Sequence, residues 1–195
     1  AQITLKFPSV GATENILLAA VKATGDTVIT GAAREPEVIA LCEFLTACGA
    51  SIEGMGSPEL IIHGGGDLHG TRYTVPTDRI VAGTYLFGCI GCGGSVLLNQ
   101  APWSQMEAVT VAAERMGAQC TVSEEGLFVQ APVRPKSIGH LQTGPYPEFP
   151  TDLQSAAMAV LTMAEGISYI EENIFENRFR IAEPLNLMGA QIVLK

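Results

Sequence analysis

The sequence predicts a mixed α/β fold assembled from repeated βαβαββ units, with helices buried and sheets outside them. Three observations lead there: short phrases that return three times, the same order of periodicities after each return, and helices that are apolar nearly all round. Cys48-Gly49-Ala50-Ser51-Ile52 comes back as Met116-Gly117-Ala118-Gln119-Cys120 and as Met188-Gly189-Ala190-Gln191-Ile192, at steps of 68 and 72 residues. Pro8-Ser9, Pro76-Thr77-Asp78 and Pro150-Thr151-Asp152 keep nearly the same step, and a Gly precedes a β-rich run at Gly25, Gly94 and Gly166.

Within the first unit, the opening residues Ala1 to Lys6 read as an extended stretch, followed by a helix near Ala12 to Thr24 and a strand near Thr27 to Thr30. A second helix is predicted near Glu35 to Cys48, because Pro36 suits a first turn, where its missing N–H has no partner, and Gly49 suits a helix end that needs left-handed backbone. Strands at Ser51–Glu53 and Leu60–His63 follow, joined through the turn Gly54-Met55-Gly56-Ser57-Pro58. In the later copies, Arg79 to Gly91 and Leu153 to Ala164 are apolar around most of their circumference, which predicts burial on more than one side. The third copy is expected to stop at Lys195 after a strand over Gln191 to Leu194, one strand short, as in an excised segment.

Composition excludes several functions. The chain has 195 residues, 47% hydrophobic and 16% charged, which suffices for a packed core and argues against disorder. The formal charge of −9 disfavours nonspecific binding to nucleic acid or to an anionic membrane surface. Every apolar run is interrupted before the ~18 residues a membrane span requires, so a soluble protein is expected. The N-terminus has no signal-peptide pattern. Five Cys in apolar contexts fit core thiols in a reducing cytoplasm, and the Cys89-x-x-Cys92 pair has no second Cys or His pair at zinc spacing, so no metal or cofactor is expected.

Chemistry concentrates where helices start. In Phe7-Pro8-Ser9-Val10-Gly11-Ala12-Thr13-Glu14, a hydroxyl and the free N–H groups of a first turn suit a phosphate, and Ser9 is equally read as a plain N-cap. In Glu148-Phe149-Pro150-Thr151-Asp152-Leu153-Gln154, Asp152 is either part of a cap or a general base for a substrate hydroxyl. In Phe175-Glu176-Asn177-Arg178-Phe179, the acid and the guanidinium either clamp a carboxylate or pair with each other. Ala33-Arg34-Glu35-Pro36-Glu37 and Pro76-Thr77-Asp78-Arg79-Ile80 have the same character, with a cap and a solvated ion pair as the plainer account.

Taken together, these phrases, with Asn15 and Ala82-Gly83-Thr84, closely resemble the UDP-N-acetylglucosamine enolpyruvyl transferase (1-carboxyvinyltransferase) family from about Leu5 to Ile192. The resemblance implies an inside-out α/β barrel architecture, two domains of three βαβαββ units. It implies a bacterial cytoplasmic enzyme that moves the enolpyruvyl group of phosphoenolpyruvate to the 3-hydroxyl of UDP-N-acetylglucosamine and releases phosphate, the committed step toward peptidoglycan. Carried over by motif, Ser9, Val10 and Gly11 would contact the diphosphate, with Phe7 and Pro8 beside the nucleoside. Asp152 would take the sugar hydroxyl proton, Ile174 would meet the N-acetylglucosamine through its backbone, Glu176 and Arg178 would face the enolpyruvyl carboxylate, and Arg79 would lie near the domain junction.

The family's loop bearing a reactive Cys, its N-terminal Lys-Asn pair and its C-terminal Arg segments have no counterpart in this chain. The resemblance therefore implies an internal segment: residues 1–76 as the last unit of one domain, and 77–195 as two units of the other. That segment is expected to be silent without the rest of the enzyme; the count of three nearly equal repeats further suggests that they close on one another as one pseudo-threefold domain. A segment of a shikimate-type enolpyruvyl transferase and a non-catalytic sugar-nucleotide binding module are the alternatives.

Overall fold

The computed structural model describes all 195 residues, and the chain divides into two compact units, Ala1–Pro76 and Thr77–Lys195. In the first, β1 (Gln2–Thr4), α1 (Val10–Ala20), β2 (Gly25–Thr30), α2 (Pro36–Ala47), β3 (Ser51–Glu53) and β4 (Glu59–Gly64) follow in the predicted order. The strands form one sheet in the order β1-β2-β4-β3. β1 runs parallel to β2, with α1 as the crossover between them, whereas β2–β4 and β3–β4 are antiparallel. Alternation decides which side is covered: Thr27 and Ile29 on β2, and Leu60 and Ile62 on β4, are buried, and Ile29, Leu60 and Ile62 share a core with Leu17 of α1 and with Val38, Cys42 and Leu45 of α2. Pro36 is the first residue of α2, and Gly49 after its end has φ +101°, the conformation the sequence reserved for a glycine.

The second unit holds α3 (Arg79–Cys92), β5 (Ser95–Asn99), α4 (Glu107–Arg115), β6 (Gln119–Ser123), β7 (Gly126–Gln130), β8 (Gly139–Gln142), α5 (Gln154–Leu161), β9 (Ser168–Glu171) and α6 (Ala182–Leu187). Strands β5-β7-β6 form an antiparallel sheet, and β8 pairs in parallel with β9, repeating the β1–β2 arrangement with α5 in the crossover. The core joins Leu86, Phe87 and Ile90 of α3 with Met106, Leu127, Val129 and Leu153. Gly83 lets α3 come close to the turn before α5: a Cβ there would stand 2.3 Å from Leu153 Cδ1. No helix is long and apolar enough to cross a membrane.

Several elements depart from the prediction. The middle repeat lacks its opening strand, since residues 67–78 form no strand; the approach to them is glycine-rich (Gly64-Gly65-Gly66), and Pro76 cannot donate to a ladder. Residues 191–194 form no strand either. In the two earlier repeats the matching strand is held by its successor, β3 by β4 and β6 by β7, whereas residues 191–194 pair with none of the strands described. The helix expected over Leu153 to Ala164 begins as a 3-10 turn at Thr151–Leu153 and is α-helical only over Gln154–Leu161. The segment after Phe175 opens as a 3-10 turn, Arg178–Ile181, before α6. Finally, α3 is buried along one face, while Val81 (52% exposed) and Tyr85 (65%) remain open, so its apolar circumference is not all core.

Candidate active site

The sequence-predicted residues fall into two groups, one in each unit. In the first unit, Ser9 has extended backbone and its Oγ accepts the Ala12 N–H at 3.3 Å, so it does cap α1. A serine hydroxyl that accepts in this way still has its own proton to donate outward. Val10 and Gly11 supply the first helical N–H groups, which have no partner inside a helix. Gly11 is exposed, and a Cβ there would meet nothing within 4 Å, which leaves the backbone open to a ligand. Pro8 and Val10 are half-buried, and Phe7 is 45% exposed beside them.

Thr13 fixes this turn from beneath. Wholly buried, it donates through Oγ1 to the Ser9 carbonyl at 2.8 Å and accepts the Ala33 N–H at 3.1 Å, joining the start of α1 to the Ala33-Arg34-Glu35 loop. Glu14 feels that loop: burial raises its carboxyl above the usual range, and the charges of Glu37 and Glu35 raise it further.

In the second unit, Asp152 stands exposed on the 3-10 turn, and its Oδ1 lies 3.4 Å from Arg178 Nη2. The Arg178 guanidinium also covers the Phe175 ring, 4.9 Å from its centroid. Arg178 therefore pairs with Asp152, and the predicted alternative of an Arg178–Glu176 pair is not the arrangement found; Glu176 is exposed in the same turn. Asn177 makes this reversal with φ +61°, a left-handed backbone that Asn tolerates. Asp152 makes no cap hydrogen bond, so the capping account of this residue does not hold.

Arg79 begins α3 directly after Asp78, whose Oδ1 accepts the N–H groups of Ile80 and Val81. Its side chain is buried, with the guanidinium carbon 5.3 Å from the centroid of the Tyr146 ring, on the loop that leads into Phe149-Pro150-Thr151-Asp152.

One residue that sequence reasoning passed over ties this region together. Glu172, just beyond β9, accepts the N–H groups of Ile174 and Phe175 through Oε1 at 2.9 and 3.1 Å, and the Thr151 hydroxyl through Oε2 at 2.8 Å. Thr143 holds the same turn from the other side, accepting Asn173 N–H at 3.0 Å. The local signal was an acid two and three residues ahead of turn N–H groups; the long-range partner Thr151 left no mark in the sequence. Burial pushes the Cys42 and Cys120 thiols up to about 11 and raises Cys89 as well, which disfavours the thiolate at these three positions.

Comparisons with known proteins place the chain in a class. The family described as EPSP synthase (3-phosphoshikimate 1-carboxyvinyltransferase) matches residues 1–195, and the chain belongs to it. Among curated relatives, the UDP-N-acetylglucosamine 1-carboxyvinyltransferase of Nitratidesulfovibrio vulgaris (strain DP4) is 44% identical over 192 residues, 98% of this chain and 46% of the relative. That of Zymomonas mobilis subsp. mobilis is 47% identical over 193 residues, 98% of this chain and 45% of the relative. The chain thus spans about half the length of the curated relatives it matches. A solved structure, the enolpyruvyl transferase NikO from Streptomyces tendae, superposes with a TM-score of 0.84 at 20% identity, covering 100% of this chain and 49% of that one, which shows the shared fold.

Proposed function

We propose that the protein carrying this chain transfers the enolpyruvyl group of phosphoenolpyruvate to the 3-hydroxyl of UDP-N-acetylglucosamine, releasing phosphate. The observation that carries this reading is the pairing of an exposed carboxylate, Asp152, with a guanidinium, Arg178, at 3.4 Å on adjoining turns. That gives one place a proton acceptor and a fixed positive charge. The names borne by the relatives at 44% and 47% identity support the choice of sugar nucleotide over a shikimate.

In this mechanism the Asp152 carboxylate accepts the sugar hydroxyl proton as that oxygen attacks the enol carbon. Arg178 turns from Asp152 to the substrate carboxylate, with Glu176 beside it in the turn, and the backbone of Ile174 meets the N-acetylglucosamine. Arg79, against Tyr146, supports the loop that delivers Asp152. Within residues 1–76 taken by themselves, the Ser9 hydroxyl and the N–H groups of Val10 and Gly11 suit a diphosphate, because the helix dipole favours negative charge there, with Phe7 and Pro8 suited to a nucleoside. Protonation of the methylene, and further cations for the phosphate, fall to groups outside these residues. The 195-residue chain alone is accordingly silent, since each missing charged partner commonly removes a few kcal/mol of transition-state stabilisation. Peptidoglycan synthesis and a cytoplasmic location belong to the same reading.

The test is phosphate release from phosphoenolpyruvate by the complete protein, with UDP-N-acetylglucosamine or shikimate 3-phosphate as acceptor and Asp152→Asn as control. Turnover with the sugar nucleotide, lost in the variant, is expected. Turnover with shikimate 3-phosphate alone overturns the substrate, and undiminished turnover in Asp152→Asn overturns the base. Saturable sugar-nucleotide binding without turnover in the complete protein would leave a binding module.

A further inference from the structure

Asp152 and Arg178 come from segments 26 residues apart, and their own contact, 3.4 Å between exposed groups, is too weak to set the geometry of a reacting pair. What holds their segments together is the Glu172 carboxylate. Its Oε2 takes the hydroxyl of Thr151, the buried neighbour of Asp152 in the 3-10 turn. Its Oε1 takes the N–H groups of Ile174 and Phe175, which open the turn that carries Glu176, Asn177 and Arg178. Both oxygens are used, each toward a different segment, so one planar group sets the separation of the two.

Thr151 and Glu172 are also sheltered beside the two acids they flank: Thr151 is 8% exposed and Glu172 is half-buried, whereas Asp152 and Glu176 are open to solvent. A charge-assisted hydrogen bond gains strength as water is excluded, which makes this link the stiffer one.

We propose that Glu172 is a positioning residue for enolpyruvyl transfer: without touching substrate, its carboxylate sets the distance between the base Asp152 and the Ile174–Arg178 turn that receives the sugar and the substrate carboxylate. This rests on the functional reading above. A cap that merely ends β9 would need the two N–H contacts but not the one to Thr151.

The experiment compares Glu172→Ala, Glu172→Gln and Thr151→Val in the complete protein. Glu172→Ala is expected to lower kcat by about 10–100-fold, as displacement of a reacting group by about 1 Å does, with a smaller change in KM for the sugar nucleotide. Glu172→Gln keeps a carbonyl for the turn and offers N–H to a reoriented Thr151 hydroxyl, so it is expected to restore kcat to within about threefold of the parent. Thr151→Val keeps the cap and loses only the bridge, and it is expected to follow Glu172→Ala in kcat while the protein stays folded. Parental kcat in Thr151→Val, or equal losses in Glu172→Gln and Glu172→Ala, would overturn the proposal.

A second readout does not need turnover. In the 195-residue chain, Arg178→Gln is expected to shift the Asp152 side-chain carboxyl carbon resonance in the parent background and not in Glu172→Ala. The same shift in both backgrounds would sink the positioning role whatever the enzyme's activity, whereas absence of turnover in the parent protein would instead bring down the functional reading.

Discussion

The imidazole of His63 lies 2.8 Å through Nδ1 from Asp26 Oδ1, across the β2–β4 pair, with Glu53 on its other nitrogen. Hydrogen bonds to Asp26 and then Glu53 raise its pKa above the ordinary 6.5. The folded pKa is therefore above the unfolded one, so this contribution to stability is fully present below about 6.5 and fades as pH rises through the folded value. Urea titrations at pH 6 and pH 9 should show the parent chain losing its advantage over His63→Asn at the higher pH; an advantage that grows with pH would contradict the assignment.

Gly83→Ala is expected to destabilise the second unit by about 1–3 kcal/mol, the usual cost of overpacking, because the new methyl meets Leu153 Cδ1 inside a filled core. Leu153 adjoins Asp152, so the same substitution should lower activity at temperatures where the protein remains folded. A lower midpoint of thermal unfolding checks the first part; an unchanged one would mean that Leu153 yields without cost.

Gln154 is wholly buried, yet its Nε2 has no hydrogen-bond partner. A buried amide left half-satisfied costs about 1–3 kcal/mol, and Met fills nearly the same volume without that group, so Gln154→Met should raise stability in chemical denaturation. A clear loss of stability would show that the amide serves a bond in the folded chain.

At Asn177 the backbone has φ +61°, between Phe175 and Arg178. Asn177→Gly should leave stability nearly unchanged, whereas Asn177→Val, β-branched in left-handed backbone, should cost about 1–2 kcal/mol and shift the Arg178 turn. Equal stability of the two variants would argue against strain at this position.

Much of the framework was legible because the code for it is local. Ser51–Glu53 is a strand where alternation put one, and Pro36 and Gly49 bracket α2 as their backbone limits require. The strand read at Gln191 to Leu194 did not form because a strand is stable only with a neighbour, which a pattern within the segment cannot supply. Asp152 and Arg178 were legible as candidates from residue type and helix position. Their pairing, and the Glu172 bridge to Thr151, were not, since each joins segments more than twenty residues apart with no shared periodicity.

The two kinds of strand pairing in the second unit carry different entropic debts during folding. β6 and β7 are separated by only Glu124 and Glu125, a hairpin that closes in about 1–10 μs. β8 and β9 must close over the 25 residues of 143–167 before a single ladder bond forms, a difference in loop-closure free energy of about 2 kcal/mol. Glu172 follows β9 directly, so its bridge to Thr151 belongs to the part of the unit that carries the larger closure cost. The candidate site is thus framed by the pairing with the greater entropic cost, and the β6–β7 hairpin by the lesser.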